Sequence, residues 1–242
     1  MLTKILKKLC VLFRDLTRFE RVLWITSLIL VTGSFLCSPE KNVLSLIASL
    51  IGVTALIFLA KGYVIGQVLI VIFAVFYGII SFYFRYYGEM ITYLGMSTPI
   101  AIIAVISWIR NPFMGTREVR VHRVKGKEIL ILVLLAVPVT VLFYFLLGHL
   151  GTENLLFSTL SVTTSFLAAS MTFLRSPYYA LLYSLNDLVL IALWVLATVE
   201  DIAYLPMIVC FAVFFVNDFY GFVSWKRREK RQNAIDPSAD RG

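Results

Sequence analysis

The chain has 242 residues, 60% hydrophobic and only 15% charged, with a mean hydropathy of +0.88 and a formal net charge of +8. A water-soluble domain of this length carries more surface charge, so that class is excluded. The apolar residues fall in long runs nearly free of ionisable side chains. Each run is long enough to cross the roughly 30 Å hydrocarbon layer as a helix, and none alternates as a membrane β-barrel strand does.

In chain order these runs predict spans over 22–38, 43–60, 64–84, 90–109, 128–149, 155–174, 178–199 and 202–225. The fold class is therefore an all-α integral membrane protein of about eight transmembrane helices. The first span is short and follows Lys4, Lys7, Lys8, Arg14, Arg18 and Arg21. No small-residue cleavage site follows it, only Cys37-Ser38-Pro39-Glu40, so it reads as a retained helix rather than a signal peptide.

The loop after the fourth span holds Arg110, Arg117, Arg120, Arg123, Lys125 and Lys127, and the eighth span is followed by Lys226, Arg227, Arg228, Lys230 and Arg231. With eight spans, these segments, the N-terminus and the turns at Lys61 and Arg175 share one side. The positive-inside rule makes that side the cytoplasm, with both termini there and the chain in the cell membrane. The opposite loops at 38–42, 85–89, 150–154 and 199–204 are short, with Lys41 and Arg85 as lone basic exceptions. The basic clusters read as topology signals in contact with anionic lipid, and nucleic acid is not an expected partner.

Cys10, Cys37 and Cys210 are widely separated, and neither His122 nor His149 has a Cys, Asp or His at ligand spacing. No disulfide framework, metal site or cofactor is expected. Signatures of metalloproteases, serine hydrolases, P-loop enzymes and dinucleotide-binding folds are missing. Asp187 and Asp218 lack the Gly-rich flanks of a paired-aspartate intramembrane protease.

Segments 45–110 and 158–227 resemble each other. In each, the first span ends in a basic turn, Lys61-Gly62 or Arg175-Ser176, and the third contains a proline, Pro99 or Pro206. Each closes on a similar tetrapeptide, Ser107-Trp108-Ile109-Arg110 or Ser224-Trp225-Lys226-Arg227. Three spans invert the chain and the span 128–149 restores it, so the two triplets run parallel, as in SWEET-type sugar transporters with a midplane site between halves. The expected organisation is 1 + 3 + 1 + 3: residues 1–42 as N-terminus and add-on helix, 43–110 as the first triplet, 111–154 as basic loop and linker helix, 155–227 as the second triplet and 228–242 as a cytoplasmic tail.

Polar residues inside spans are costly, about 2.5–3.5 kcal/mol for an Asp at a helix centre. The carboxylates deep within spans are Asp187 and Asp218, beside Asn186 and Asn217. Counting roughly 1.5 Å per residue places Asn186, Asp187 and Asn217 at similar depth. Tyr179, Tyr183, Asn186, Asp187, Leu190 and Trp194 form one stripe at i+3/i+4 spacing, and Asn217, Tyr220, Gly221 and Ser224 another. The span 155–174 adds hydroxyls, Thr164 among them. Aromatic faces with amide and hydroxyl partners suit a small, flat, hydroxylated ligand such as a nucleoside, and a cationic ring is attracted further. The plainer readings are inter-helix hydrogen bonding for the Ser, Thr and Asn residues and interfacial anchoring for Trp108 and Trp225. Gln67 and Glu89 are candidates for a mouth or gate.

Several motifs in order along 45–230 resemble the nicotinamide riboside transporter (PnuC) family, especially Gram-positive members. They are Ala60-Lys61-Gly62, Tyr87-Gly88-Glu89-Met90, Thr163-Thr164-Ser165-Phe166-Leu167, Arg175-Ser176-Pro177-Tyr178-Tyr179-Ala180-Leu181, Asn186-Asp187, Asn217-Asp218-Phe219-Tyr220-Gly221-Phe222 and Ser224-Trp225-Lys226. The resemblance implies a 3 + 1 + 3 core with an extra N-terminal helix. It also implies uptake of nicotinamide riboside by facilitated diffusion, with phosphorylation in the cytoplasm trapping it for NAD synthesis. Relatives carry thiamine, riboflavin or deoxynucleosides, and a non-transporting membrane sensor or assembly subunit is the alternative of another class. Homo-oligomerisation is compatible with all of these. Many members have tryptophans where this chain has Ala180 and Tyr183, which shifts stacking to tyrosine. The expected substrate-binding residues are Asn186, Asp187, Asn217, Tyr183, Tyr220, Trp194, Tyr179 and Thr164.

Overall fold

The computed structural model describes residues 12–38, 43–83, 87–152 and 154–236. Lys4, Lys7, Lys8, Cys10, Lys41 and Arg85 lie outside them. Among the described residues, eight helices are long and apolar enough to cross a membrane. They are α1 (Arg18–Cys37), α2 (Val43–Ala60), α3 (Val64–Tyr83), α4 (Tyr87–Arg110), α5 (Gly126–His149), α6 (Leu155–Phe173), α7 (Tyr178–Glu200) and α8 (Leu205–Ile235).

Three bounds differ from the hydropathy reading, each for a local reason. Helix α1 starts earlier because Thr17 and Glu20 form a capping box. The Glu20 amide donates to Thr17 Oγ1 at 3.2 Å and the Thr17 amide donates to the Glu20 carboxylate at 2.7 Å, satisfying two first-turn donors that would otherwise be orphans. Helix α4 starts earlier too, and its Thr92–Ser97 stretch is π-helical. The Thr98 amide reaches back to the Tyr93 carbonyl, and Pro99 follows with no amide proton to continue the regular ladder. Helix α8 runs past the membrane to Ile235 and stops short of Pro237. Charged residues end a hydropathy run without ending a helix, so residues read as a tail, 228–235, are its last turns.

Six helices close a ring in the order α2, α3, α4, α6, α7, α8 and back to α2. Helices α2–α4 and α6–α8 meet along two seams, α2 against α8 and α4 against α6. Helix α1 packs on α2 and α8, covering the first seam. Helix α5 packs on α6, with Phe143 and Leu147 also meeting Met96 of α4, so it covers the second. Its remaining surface presents exposed Leu130, Leu134, Leu142 and Phe145, a lipid-facing apolar side. Small residues set the close approaches: a Cβ on Gly66 of α3 would stand 2.5 Å from the Leu59 amide nitrogen of α2.

The basic ends of the helices are tied together by loop 111–125. Its Val119 amide donates to the Gly62 carbonyl at 2.9 Å, and its His122 amide donates to the Arg175 carbonyl at 3.1 Å. Gly62 and Arg175 occupy matching turns after α2 and α6, both at positive φ, +66° and +58°. From the extended end of α8, Gln232 accepts from the Val121 amide at 2.8 Å and donates to the Val119 carbonyl at 3.1 Å, while Arg228 and Arg231 pair with Glu118.

Candidate functional site

A cluster of aromatic and carboxylic side chains, here termed the chamber, lies inside the ring. The first triplet brings Phe73 and Tyr77 from α3 and Tyr93 from the π-helical stretch of α4. Tyr77 and Tyr93 are 4.6 Å apart by ring centroid, and Phe73 stands edge-on to Tyr93 at 6.0 Å. Phe73 also meets Phe214 of α8 at 6.4 Å, across the inside of the bundle. Glu89 sits toward the end opposite the basic loops, hydrogen-bonded to Tyr77 and near Ser81 Oγ at 3.4 Å.

The second triplet brings the charge. Asp187 of α7 and Asp218 of α8 are both buried and lie carboxyl to carboxyl. Asp187 Oδ2 takes no hydrogen bond. Tyr183 stands one turn below Asp187, its hydroxyl on Thr172, and Tyr93 lies in the same region as Tyr183 and Asp187. Two facing carboxyls in a dry interior demand a positive charge beside them, either a proton or a cationic ligand. The side chains described around the chamber include no lysine or arginine. Flat π faces around a carboxyl pair can hold a flat cation.

The model of the nicotinamide mononucleotide transporter family matches residues 42–227. The chain belongs to this family. It is 25% identical over 227 residues to the nicotinamide riboside transporter PnuC of Neisseria mucosa, covering 92% of this chain and 86% of that one. Its fold matches the crystal structure of the vitamin B3 transporter PnuC with a TM-score of 0.77 and 24% identity, over 91% of this chain and 96% of that one. The chain is thus a multi-pass membrane transporter and not an enzyme.

In this transporter the residues singled out from sequence separate. Tyr183 and Asp187 face the chamber. Asn186, one position from Asp187, turns to α6: its Oδ1 accepts from Thr164 Oγ1 at 2.7 Å and from Ser161 Oγ at 3.1 Å. Asn217 turns to α1, donating to Ser27 Oγ at 2.9 Å and to the Val213 carbonyl at 2.8 Å. Tyr220 does likewise, its hydroxyl donating to Glu20 at 2.9 Å, beside the Glu20–Lys61 ion pair at 3.2 Å. Consecutive helical residues point about 100° apart, so Asn217 and Asp218 take different faces, and it is Asp218 rather than Asn217 that turns inward to Asp187. Trp194 packs on Tyr204 at 5.5 Å near the non-basic end, with its buried Nε1 unpaired. Tyr179 packs on Trp225 at the basic end. Gln67 is buried in the first turn of α3 at the basic end, its Oε1 without a partner.

Sequence reading missed Tyr77, Tyr93, Phe73 and Phe214. The available signal was a pair of tyrosines well inside apolar spans, where a phenol hydroxyl needs a partner. Trp108 and Trp225 are not interfacial anchors: both are completely buried.

Proposed function

We propose that the chain takes up nicotinamide riboside by facilitated diffusion, as a uniporter with alternating access, and that phosphorylation inside the cell commits it to NAD synthesis. The basic end then faces the cytoplasm of a chain in the cell membrane, with both termini inside. The triplets 43–110 and 155–227 rock against each other at the α2–α8 and α4–α6 seams. That reading is supported by seams pairing the first helix of each triplet with the third of the other.

The observation that carries the substrate is the charge of the chamber. Asp187, Asp218 and Glu89 share it with Tyr77, Tyr93 and Tyr183. Nicotinamide riboside presents a flat pyridinium cation, suited to tyrosine faces, and ribose hydroxyls, suited to carboxyl acceptors. The mononucleotide adds a phosphate, which three nearby carboxyls repel. The riboside is therefore favoured over the compound in the family's description. Asp187, Asp218, Tyr183, Tyr93 and Tyr77 form the binding site in this reading. Asn186 and Thr164 bond to each other and join α7 to α6 next to Asp187, Trp194 and Glu89 lie on the outer side, and Gln67 and Tyr179 on the inner.

Thiamine is the second reading on the same observation, because it too is a flat aromatic cation. Uptake of labelled nicotinamide riboside into sealed proteoliposomes tests the proposal, with the mononucleotide, thiamine, riboflavin and deoxynucleosides as competitors. Saturable uptake blocked by unlabelled riboside and not by the mononucleotide supports it. Binding without flux points to a sensor, and stronger competition by thiamine reassigns the vitamin.

A further inference from the structure

The two Ser-Trp dyads lie at the basic end, where α4 ends and α8 leaves the membrane. Trp108 Nε1 donates to the Thr172 carbonyl at 2.8 Å and Ser107 Oγ to the Phe173 carbonyl at 2.9 Å. Trp225 Nε1 donates to the Leu59 carbonyl at 2.8 Å and Ser224 Oγ to the Ala60 carbonyl at 2.8 Å. The third helix of each triplet thus caps the C-terminus of the first helix of the other, once across each seam. The two indoles meet at a centroid distance of 5.3 Å. Tyr179 stands edge-on to Trp225 at 5.1 Å, and Tyr183 lies 6.3 Å from Tyr179. An aromatic column therefore fills the way from the chamber to the basic end.

We propose that Ser107-Trp108 and Ser224-Trp225 are the cytoplasmic gate of the transport path, which opens when both dyads release the helix ends they cap. This rests on the transporter reading above and goes beyond it by assigning the gate. The first argument is position: the indole pair joins both seams at the end through which the substrate leaves. The second is reversibility. The carbonyls held by the dyads belong to the last turns of α2 and α6, where the regular i+4 amide donors run out; Leu59 and Thr172 keep the turn amides of Gly62 and Arg175 at 2.8 and 3.0 Å, and Ala60 keeps Arg228 at 3.1 Å, when the dyads let go. Water can take over these acceptors and the indole and hydroxyl donors, so opening exchanges hydrogen bonds rather than losing them. A polar bond in the dry middle of the bundle has no such exchange. The third is coupling. Loop 111–125 holds the Gly62 carbonyl through Val119 and the Arg175 carbonyl through His122, one turn from each triplet, and Val119 packs in the same cluster as both tryptophans. The loop acts as a strap that keeps the two dyads closing together.

Cys210 offers a built-in reporter, because it is buried against Ser49 of α2 in the same region as Tyr93 and Asp187. In a chain carrying Cys10→Ser and Cys37→Ser, a membrane-impermeant cationic thiosulfonate is applied to the cytoplasmic face of vesicles and Cys210 modification is followed by mass. Trp108→Phe and Trp225→Phe each delete one indole N–H, and each is expected to speed modification about fivefold, the worth of one hydrogen bond. Trp108→Ala and Trp225→Ala also remove the packed ring, and an acceleration on the order of a hundredfold is expected. Nicotinamide riboside affinity, measured in detergent, is expected to stay at the parent value in all four. Parent-like modification rates in variants that still bind overturn the gate assignment. If the alanine variants do not fold, the phenylalanine variants decide on the same criterion. If the parent chain binds no nicotinamide riboside, the substrate reading falls, while the labelling rates still judge the gate, with thermal unfolding as the check on folding.

Discussion

Helices α1–α4 and α5–α8 share a frame at a few matched positions. Each half has a covering helix, a tight left-handed turn after the next helix, at Gly62 or Arg175, and a Ser-Trp dyad that caps the opposite half. The chemistry inside is divided unevenly. The first half supplies Tyr77, Tyr93 and Glu89, and the second supplies the Asp187–Asp218 pair. Even the matched prolines differ. Pro206 occupies the first turn of α8, where a missing amide proton costs nothing, whereas Pro99 follows a π-helical stretch inside α4 that carries Tyr93. In the proposed alternating-access reading, the shared frame lets the two seams part alike. The lining does not repeat, and in the proposed reading a single asymmetric ligand near the axis would meet each half with a different part of itself.

The comparison is broken most severely at the carboxyl pair. If the second half carries the charge recognition, Asp187→Ala weakens nicotinamide riboside binding by about a hundredfold, the size expected for a hydrogen bond to a charged group. A calorimetric titration measures it, and an unchanged affinity would remove Asp187 from the site. If the first half carries the stacking surface, Tyr93→Ala weakens binding by about tenfold, within the range of a desolvated cation–π contact. Tyr93→Phe keeps most of that affinity. A loss for Tyr93→Phe as large as for Tyr93→Ala would mean that the hydroxyl, not the ring, does the binding.

The third test separates lining from covering helices. Asn217 and Tyr220 point to α1, so Asn217→Ala is expected to leave affinity unchanged. It should lower stability in detergent by about 1 kcal/mol through the lost bond to Ser27. Thermal unfolding and the binding titration, run on the same preparation, check both halves of the statement.

The fold was legible because hydropathy reports membrane spans directly: all eight were placed to within a few residues, apart from the longer ends of α1, α4 and α8. The order of packing was legible only in outline. Matching turns and tetrapeptides indicated two like triplets, but nothing in Ser-Trp-Ile-Arg says that its indole reaches another helix's last carbonyls. Depth is legible in the sequence for the polar residues of α7 and α8, and direction is not. Insertion cost points to Asp187, but which of Asn217 and Asp218 turns inward depends on neighbours around the helix that the sequence does not name. The first-half tyrosines were passed over because a tyrosine in an apolar span costs far less than a carboxylate and so stands out less.

The smallest expected effect bears on whether α1 and α5 are equivalent covers. The sequence makes α1 an add-on and α5 a linker, but in the ring each lies over one seam. They differ in how they are held. Helix α1 is fastened by polar contacts, Ser27 to Asn217 and Glu20 to Lys61 and Tyr220. Helix α5 has a hydroxyl pair, Thr140 with Thr163 at 2.7 Å, and otherwise packs through Phe143 and Leu147. Both threonine hydroxyls also bond carbonyls of their own helix, Ala136 and Thr159, so little is orphaned when the pair is cut. Thr140→Val is therefore expected to cost about 0.6 kcal/mol, the average for such membrane hydrogen bonds, with affinity and uptake unchanged. A loss above that of Asn217→Ala in the same unfolding measurement would show that α5 is held by its polar contact as α1 is, and the two covers would then be alike in energetics as well as in place.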